Sequence, residues 1–384
     1  MEKKKIAVLG GGLVGGFIAE QLAADASLAV TLYDRDRETL KRRGLNPHLA
    51  TQQLDMANVR HVRDAAHAAD LVIGALPGHL GYAALEAVLE AGRNTVDISF
   101  FPEDPYGLSE LAERKGVTAV VDCGVMPGLG GLLALHFAAE LAHVERVTIM
   151  VGGLPAVRRW PLEYKAPFSP VDVIEEYTRP ARLVEYGRVV SKPALSDVEL
   201  VELPGVGTLE AFNTDGLRTL LKNLTAPHMR EKTLRYPGHA EKIRLLRELG
   251  FFDEEPVQAG GASVRPLDVA AALLIKHWKL APGEQELTVM RVEVEGADEA
   301  GHRLVHRADL LDRGDPATGA LSMARTTGYP AVFAARMILD GDLPARGILP
   351  AELLGADDAL CDKLLDSLAE VGIEPQYEEI SLER

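Results

Sequence analysis

A chain of 384 residues exceeds one ordinary hydrophobic core, and 47% hydrophobic with 26% charged residues points to a globular protein of two domains. The formal net charge of −16 excludes the basic face that nucleic acid or an anionic membrane requires, and no apolar run approaches the roughly 20 residues of a membrane span. Two cysteines, Cys123 and Cys361, make neither a ligand cluster nor a disulfide framework; no metal is expected, and with no secretory leader in view the expected location is the cytoplasm.

The first element is a breaker-free apolar run, Ile6-Ala7-Val8-Leu9, followed by Gly10, Gly12 and Gly15 in the spacing G-x-G-x-x-G. Leu13 and Val14 open a helix whose apolar positions Val14, Ile18 and Leu22 recur every four residues. A second strand, Leu28–Tyr33, ends at Asp34, beside Arg35 and Arg37. Strand, glycine turn, helix, strand and acid together form the dinucleotide-binding fingerprint. Gly10 makes the turn, Gly12 keeps a Cβ away from the pyrophosphate, and Gly15 lets the helix lie close on the strand, while the helix N-terminus offers free N–H groups to phosphate. Asp34 is placed to accept from the adenosine ribose hydroxyls, so NAD is the expected cofactor, with Arg35 and Arg37 softening the bias against NADP.

A polar helix spans Arg37–Arg43, and a weak strand Ala50–Leu54 precedes Asp55-Met56. Asp55 either approaches the adenine or caps the helix Val59–His67. The run Leu71–Leu76, with Ala75 and Leu76 stopped by Pro77, reads as the fourth strand, its end at the topological switch where the nicotinamide half lies; His79 follows as a candidate catalytic residue. After a helix Leu80–Glu90 come strand five (Asn94–Ser99), a helix Gly107–Lys115 and strand six (Val117–Val121). Alternation of this kind gives a doubly wound parallel α/β sheet of Rossmann type. Asp97, Ser99, Asp122, Cys123 and Gly124 close the carboxyl ends of strands five and six, with Met126-Pro127-Gly128 starting the next helix. Asp97 has an equally local reading as a cap of the turn after it.

The pattern then changes. Strands such as Val144–Val151, Val198–Leu203 and Thr208–Phe212 lack regular crossover helices, and Glu286–Gly296 with His302–Asp312 reads as a long hairpin. An inserted α+β domain of mixed or antiparallel sheet is expected over 127–326. Residues 327–384 return as helices at Tyr329–Leu339, Ala351–Leu354 and Ala359–Val371, docking on the 1–126 domain through small residues such as Ala331, Ala334 and Ala335; Glu378-Glu379 reads as a solvated tail.

Asp122-Cys123-Gly124 with Pro127-Gly128, then Gly152-Gly153-Leu154-Pro155, Pro161-Leu162-x-Tyr164-Lys165 and Thr233-Leu234-Arg235-Tyr236-x-Gly238, resemble the saccharopine dehydrogenase (glutamate-forming) family through nearly the whole chain. Glu175–Arg182 and Glu210–Gly216 look most like its lysine 6-dehydrogenase branch. The resemblance implies the fold derived above, an inserted domain that supplies substrate contacts and a subunit interface, and hence a homodimer or larger homo-oligomer.

Oxidation of an amine requires its neutral form, because an ammonium has no lone pair; an aliphatic amine titrates near 10.4, so a base, an apolar pocket or alkaline pH is needed. An amino-acid substrate also needs a cation for its α-carboxylate and acceptors for its α-ammonium. Arg235 is the first choice, with Arg179 and Lys165 as further cations. Asn213, Thr214 and Asp215 are acceptors, or else an Asx-turn before Gly216. Asp122 and His79 are candidate bases, Tyr236 and Tyr164 can orient water, and Cys123 reads as packing. Three classes follow: an NAD-dependent lysine ε-amine dehydrogenase, a saccharopine-type or other imine reductase, and a non-enzymatic dinucleotide sensor.

Overall fold

The computed structural model describes residues 3–166, 170–281, 283–343 and 346–382. In chain order the first elements are β1 (Lys4–Leu9), α1 (Leu13–Ala23), β2 (Leu28–Asp34), α2 (Arg37–Arg43), β3 (Leu49–Gln53), α3 (Val59–His67), β4 (Leu71–Gly74), α4 (Gly78–Glu90), β5 (Asn94–Asp97), α5 (Ser109–Lys115), β6 (Thr118–Val121) and α6 (Leu129–Ala139). They are followed by β7 (His143–Pro155), α7 (Pro170–Thr178), β8 (Ala181–Glu185), β9 (Arg188–Lys192), β10 (Glu199–Leu203), β11 (Gly207–Asn213), α8 (Leu220–Asn223), β12 (His228–Arg235) and α9 (His239–Glu248). A small hairpin, β13 (Val257–Ala259) and β14 (Ala262–Val264), precedes α10 (Pro266–Trp278), β15 (Glu286–Ala297) and β16 (Arg303–Arg313). Last come α11 (Ser322–Asp340), β17 (Gly347–Pro350), α12 (Asp358–Glu370) and β18 (Gln376–Ser381).

Among the described residues the first sheet has seven parallel strands in the order β17-β6-β5-β4-β1-β2-β3. Buried on both faces, its inner strands read as continuous apolar runs, as parallel strands do; Ile6, Ala7, Val8 and Leu9 are all 1% exposed or less, whereas the edge strand β3 is mostly exposed. The order reverses between β1 and β4, and that reversal puts the glycine loop after β1 beside Ala75. Gly328, inside α11, packs so closely on α1 that a Cβ would lie 2.6 Å from the Phe17 ring, and Tyr329 stands edge-on to Phe17 with its hydroxyl 3.2 Å from Gln21 Oε1. Ala331, Ala334 and Ala335 are fully buried.

The second sheet is mixed. Nine strands run β10-β11-β12-β7-β15-β16-β18 with β8 and β9 attached beside β12; β7 and β12 are parallel, and the other pairs antiparallel. The chain divides into one unit of Met1–His136 with Ala324–Glu374 and another of Phe137–Met323 with Pro375–Arg384.

Three expectations need correction. Sequence periodicity gave six strands in the first sheet, but β17 adds a seventh, too short at four residues and too broken by Gly347 and Pro350 to register as a run. Glu378-Glu379 is not a solvated tail: both lie in β18, paired with His306 and Arg307 of β16, and Glu378 Oε2 is 3.1 Å from the Arg307 guanidinium. An edge strand with charges on both faces carries no apolar alternation to read. The last residues therefore group with the inserted unit, and α6 begins at Leu129, after a Gly124–Gly128 turn closed by Gly124 N–H donating to Pro127 O, instead of at Met126.

Candidate dinucleotide cradle and amino-acid cluster

In the first unit the glycine loop is shaped for a ligand. Gly10 has φ +104°, a left-handed conformation that favours glycine, and a Cβ there or at Gly15 would run into backbone oxygens, those of Ala75 and Gly10 respectively. At Gly12 nothing lies within 4 Å of where a Cβ would stand, and the residue is exposed. Gly12 is also the N-cap of α1, with no side-chain cap and no acid in the first turn, so the N–H groups around Leu13 and Val14 are offered outward. The residues fit a dinucleotide pyrophosphate.

Asp34 has a second task. Its Oδ2 accepts from Gly11 N–H and its Oδ1 from Asp36 N–H, both at 2.7 Å, bracing the loop with lone pairs to spare on each oxygen. Arg35 and Arg37 are exposed beside it. Arg43, which sequence reasoning passed over, pairs with Glu20 at 2.9 Å and donates to Gly12 O at 3.3 Å, its guanidinium occupying the space left by Gly16. Asp55 is exposed and accepts from Ala57 N–H, while the cap of α3 is Asn58, whose side chain accepts from Arg60 N–H. Met56 is 5% exposed and packs with Tyr33 and Leu76 in the core.

At the ends of β4 to β6 the polar side chains turn inward. Ser99 Oγ accepts from Leu76 N–H at 3.2 Å, Asp97 Oδ1 accepts from Ser99 N–H at 2.7 Å, and the Asp97 carboxyl fills the space left by the missing Cβ of Gly74. They hold the Ala75-Leu76-Pro77 turn, which stays half-buried to exposed, as does His79 in the first turn of α4. Asp122 is buried in a left-handed conformation (φ 53°). Cys123 is 1% exposed, its thiol pushed up to about 12 by burial and by Asp122 and Asp97, so it is no nucleophile at neutral pH. Gly124 packs against Thr327.

In the second unit β12 ends at Arg235, Gly238 follows at φ +89°, and Glu210 accepts from the Gly238 and Ala240 N–H groups at the start of α9. Arg235 is 3% exposed, its guanidinium 4.3 Å above the Tyr164 ring centroid. It donates to Tyr177 Oη (3.3 Å), Leu234 O (3.0 Å) and Glu176 Oε2 (3.1 Å), which leaves two of its five N–H groups unassigned by these bonds. Burial opposes its charge, but Tyr177, Tyr164 and Glu176 raise its pKa further.

The proton directions behind Arg235 follow from its neighbours. Burial, with Arg235 nearby, lowers His239 to about 3, so the ring is neutral at working pH. Its Nδ1 lies 2.9 Å from Leu162 O and so carries the proton; Nε2 then accepts from Tyr177 Oη at 2.9 Å, and Tyr177 turns a lone pair to Arg235. Burial pushes the Tyr177 hydroxyl up to about 12, against the pull of Arg235. Trp278 closes the cluster, 5.5 Å from Tyr164. Sequence reasoning missed His239 and Trp278; the only signal was that His239 follows Gly238 of the motif.

The other sequence candidates are held elsewhere. Arg179 pairs with Glu175 at 2.6 Å, and Lys165 lies 3.3 Å from Glu284 and donates to Lys279 O. Asn213 donates to Ser196 and Asp197, Thr214 to Glu231, and Asp215 takes both arms of Arg182 at 2.9 Å. The Gly216 N–H goes to Glu231 rather than to an Asx side chain. Tyr236 Oη donates to Pro155 O at 2.9 Å. Among the described residues no three His, Cys, Asp or Glu converge on a metal site, and no helix is long and apolar enough to cross a membrane.

Residues 6–120 match the family model described as the saccharopine dehydrogenase NADP binding domain, and residues 124–373 the saccharopine dehydrogenase C-terminal domain. The mitochondrial alpha-aminoadipic semialdehyde synthase of Mus musculus is 26% identical over 90% of this chain, but the chain spans only 45% of that protein. The NADP(+), L-glutamate-forming saccharopine dehydrogenase of Schizosaccharomyces pombe is 24% identical over 88% of this chain and 90% of its own. In fold, apo saccharopine dehydrogenase (L-Glu forming) from Saccharomyces cerevisiae superposes with a TM-score of 0.82 over 98% of this chain and 100% of that one, at 19% identity.

Proposed function

Because this chain belongs to the saccharopine dehydrogenase family, we propose that it is an NAD-dependent oxidoreductase of an amino-acid C–N bond, oxidising the ε-amine of L-lysine. The carrying observation is Arg235, a buried guanidinium with spare donors stacked on Tyr164 and backed by Tyr177. It suits one α-carboxylate. A nicotinamide dinucleotide, when bound, supplies the two-electron acceptor. Loss of a hydride (the C–H hydrogen with both bonding electrons) from carbon and of one proton from nitrogen leaves an imine; water then releases ammonia and an aldehyde, which closes on the α-amine. Asp122 and His79 are the residues proposed to take the proton. Asp34 favours NAD, since a 2′-phosphate at about 4 Å from its carboxylate is repelled by roughly 1–4 kcal/mol. The enzyme is proposed to act in the cytoplasm as a homodimer or larger assembly, without nucleic acid or membrane.

A second reading takes its support from the names of relatives such as the S. pombe enzyme: saccharopine oxidation with NADP, releasing glutamate. That substrate needs at least two more cations, and Arg179 and Lys165 are paired with Glu175 and Glu284. Purified protein given L-lysine as sole donor tests the choice. NADH and ammonia should form together, faster at alkaline pH, with a trap for the cyclic imine responding. Glutamate from saccharopine, without turnover of lysine, would move the assignment to the second reading.

A further inference from the structure

One face of the second sheet aligns two buried groups of opposite charge. Thr233 pairs with Val151 and Val151 with Met290; two residues on, Arg235 stands level with Gly153 and Thr288, and at the next step Pro155 pairs with Glu286. Side chains two apart share a face, so Arg235 and Glu286 project from the same one, and Gly153 on the strand between them adds no side chain to the row. Two strand spacings and two residues of rise separate their Cα atoms by roughly 12 Å.

Glu286 is 1% exposed. Its Oε1 accepts from Met323 N–H at 3.0 Å, while Oε2 is buried with no hydrogen-bond partner among the described residues. The Tyr164 hydroxyl and Trp278 Nε1 are buried and unpartnered in the same sense. Arg235 stacks on the Tyr164 ring, and burial raises the Tyr164 hydroxyl, with Glu286 a lesser contributor to the rise. Burial lifts the Glu286 carboxyl to about 7, against the Met323 and Ser322 amides and with Asp312 adding to the rise, as befits an acid lacking a cation. A buried polar atom without a partner keeps its full desolvation penalty. Here two donors and one acceptor stand unmatched beside a guanidinium with donors to spare, the complement of a zwitterion.

We propose that Glu286 receives the α-ammonium of the amino-acid substrate whose α-carboxylate is held by Arg235, with the Tyr164 hydroxyl as a further donor to that carboxylate. The inference rests on the lysine reading and adds a requirement to it: the substrate must carry an α-amine that is not oxidised. An amine with the same chain and carboxylate, 6-aminohexanoate, leaves Glu286 unmatched.

Glu286→Gln keeps an acceptor for Met323 N–H and removes the charge. Steady-state kinetics of the full-length enzyme with L-lysine and with 6-aminohexanoate, as alternative substrate or competitive inhibitor, test the proposal, with melting temperature as the check on folding. The wild type should prefer lysine. The variant should lose about tenfold or more in lysine kcat/KM, one charge-assisted contact, while 6-aminohexanoate and the KM for NAD move less than about twofold. An equal fall with both amines would make Glu286 structural, and no change with lysine, or a wild type indifferent to the α-amine, would also overturn the proposal. A wild type that fails to oxidise lysine at all would overturn the underlying reading as well.

Discussion

The glycine loop of the first unit and the aromatic cluster of the second use opposite devices to prepare for a ligand. The loop works by omission: Gly12 leaves open space, Gly10 and Gly15 allow backbone to touch backbone, and the uncapped α1 presents N–H groups. The cluster works by over-determination, with Tyr177, His239 and Leu162 O fixing each proton that bears on Arg235. Backbone devices tolerate no added atom, whereas side-chain devices are tuned by single hydrogen bonds. Substitutions should therefore differ in size and in kind between the two regions.

The largest effect is expected at Gly15. A Cβ there would collide with Gly10 backbone and lie 2.8 Å from Ala75 Cβ, so Gly15→Ala should destabilise the first unit by roughly 1–3 kcal/mol or more and abolish NAD binding. Gly12→Ala, three residues away, places its Cβ where nothing lies within 4 Å; its melting temperature should stay near wild type while NAD binding, read by fluorescence titration, is lost. Equal melting losses in both would contradict the division between packing and ligand clearance.

In the second unit, Glu231 is buried beneath Thr214 and Gly216, and burial raises its pKa to about 8. A carboxyl raised above its unfolded value of 4.5 contributes its full stability below that value and loses it as pH rises through the folded one. Between about pH 4.5 and 8 the wild type should lose stability, on the order of a few kcal/mol, by a component that Glu231→Gln removes. Chemical denaturation across that range should give a flatter profile for the variant; parallel profiles would place the titration elsewhere.

Tyr177→Phe removes one relay atom between His239 and Arg235. The lysine KM should rise by about twofold to just over tenfold, equivalent to about 0.5–1.5 kcal/mol, with the NAD value unmoved. Smallest of all, Asp34→Ser should narrow the NAD preference by about 1 kcal/mol, the solvent-screened end of the roughly 1–4 kcal/mol repulsion. Comparable efficiency of the wild type with NAD and NADP would show that Asp34 serves only Gly11 and Asp36.

The same contrast explains what the sequence disclosed. Gly10, Gly12, Gly15 and Asp34 lie in one local stretch whose spacing is set by strand and helix geometry, so both fold and cradle could be read from it. Strand ends were locatable, but not which way Asp97 and Ser99 turn, since that depends on Gly74 and Leu76 of the neighbouring strand. The cluster joins Tyr164, Tyr177, the Arg235–His239 stretch and Trp278 from four separate segments, and an apolar-looking Trp278 at a helix end gives no hint of polar neighbours. Arg235 was legible through its motif; its backing was not. Arg179, Lys165 and Asn213–Asp215 are likewise motif residues with partners inside the protein, as Arg235 has in Glu176 and Tyr177; what sets Arg235 apart is its burial and its stacking on Tyr164.

The division of labour between the two regions is tested most directly by Arg235→Ala, with Arg235→Lys beside it and melting temperatures as control. Steady-state kinetics with L-lysine and NAD should show the lysine KM raised by roughly 1.5–3 kcal/mol, about tenfold to more than a hundredfold, partial recovery in the Lys variant, and an NAD KM close to wild type. A folded Arg235→Ala enzyme that keeps its lysine KM, or that loses NAD affinity instead, would contradict the account.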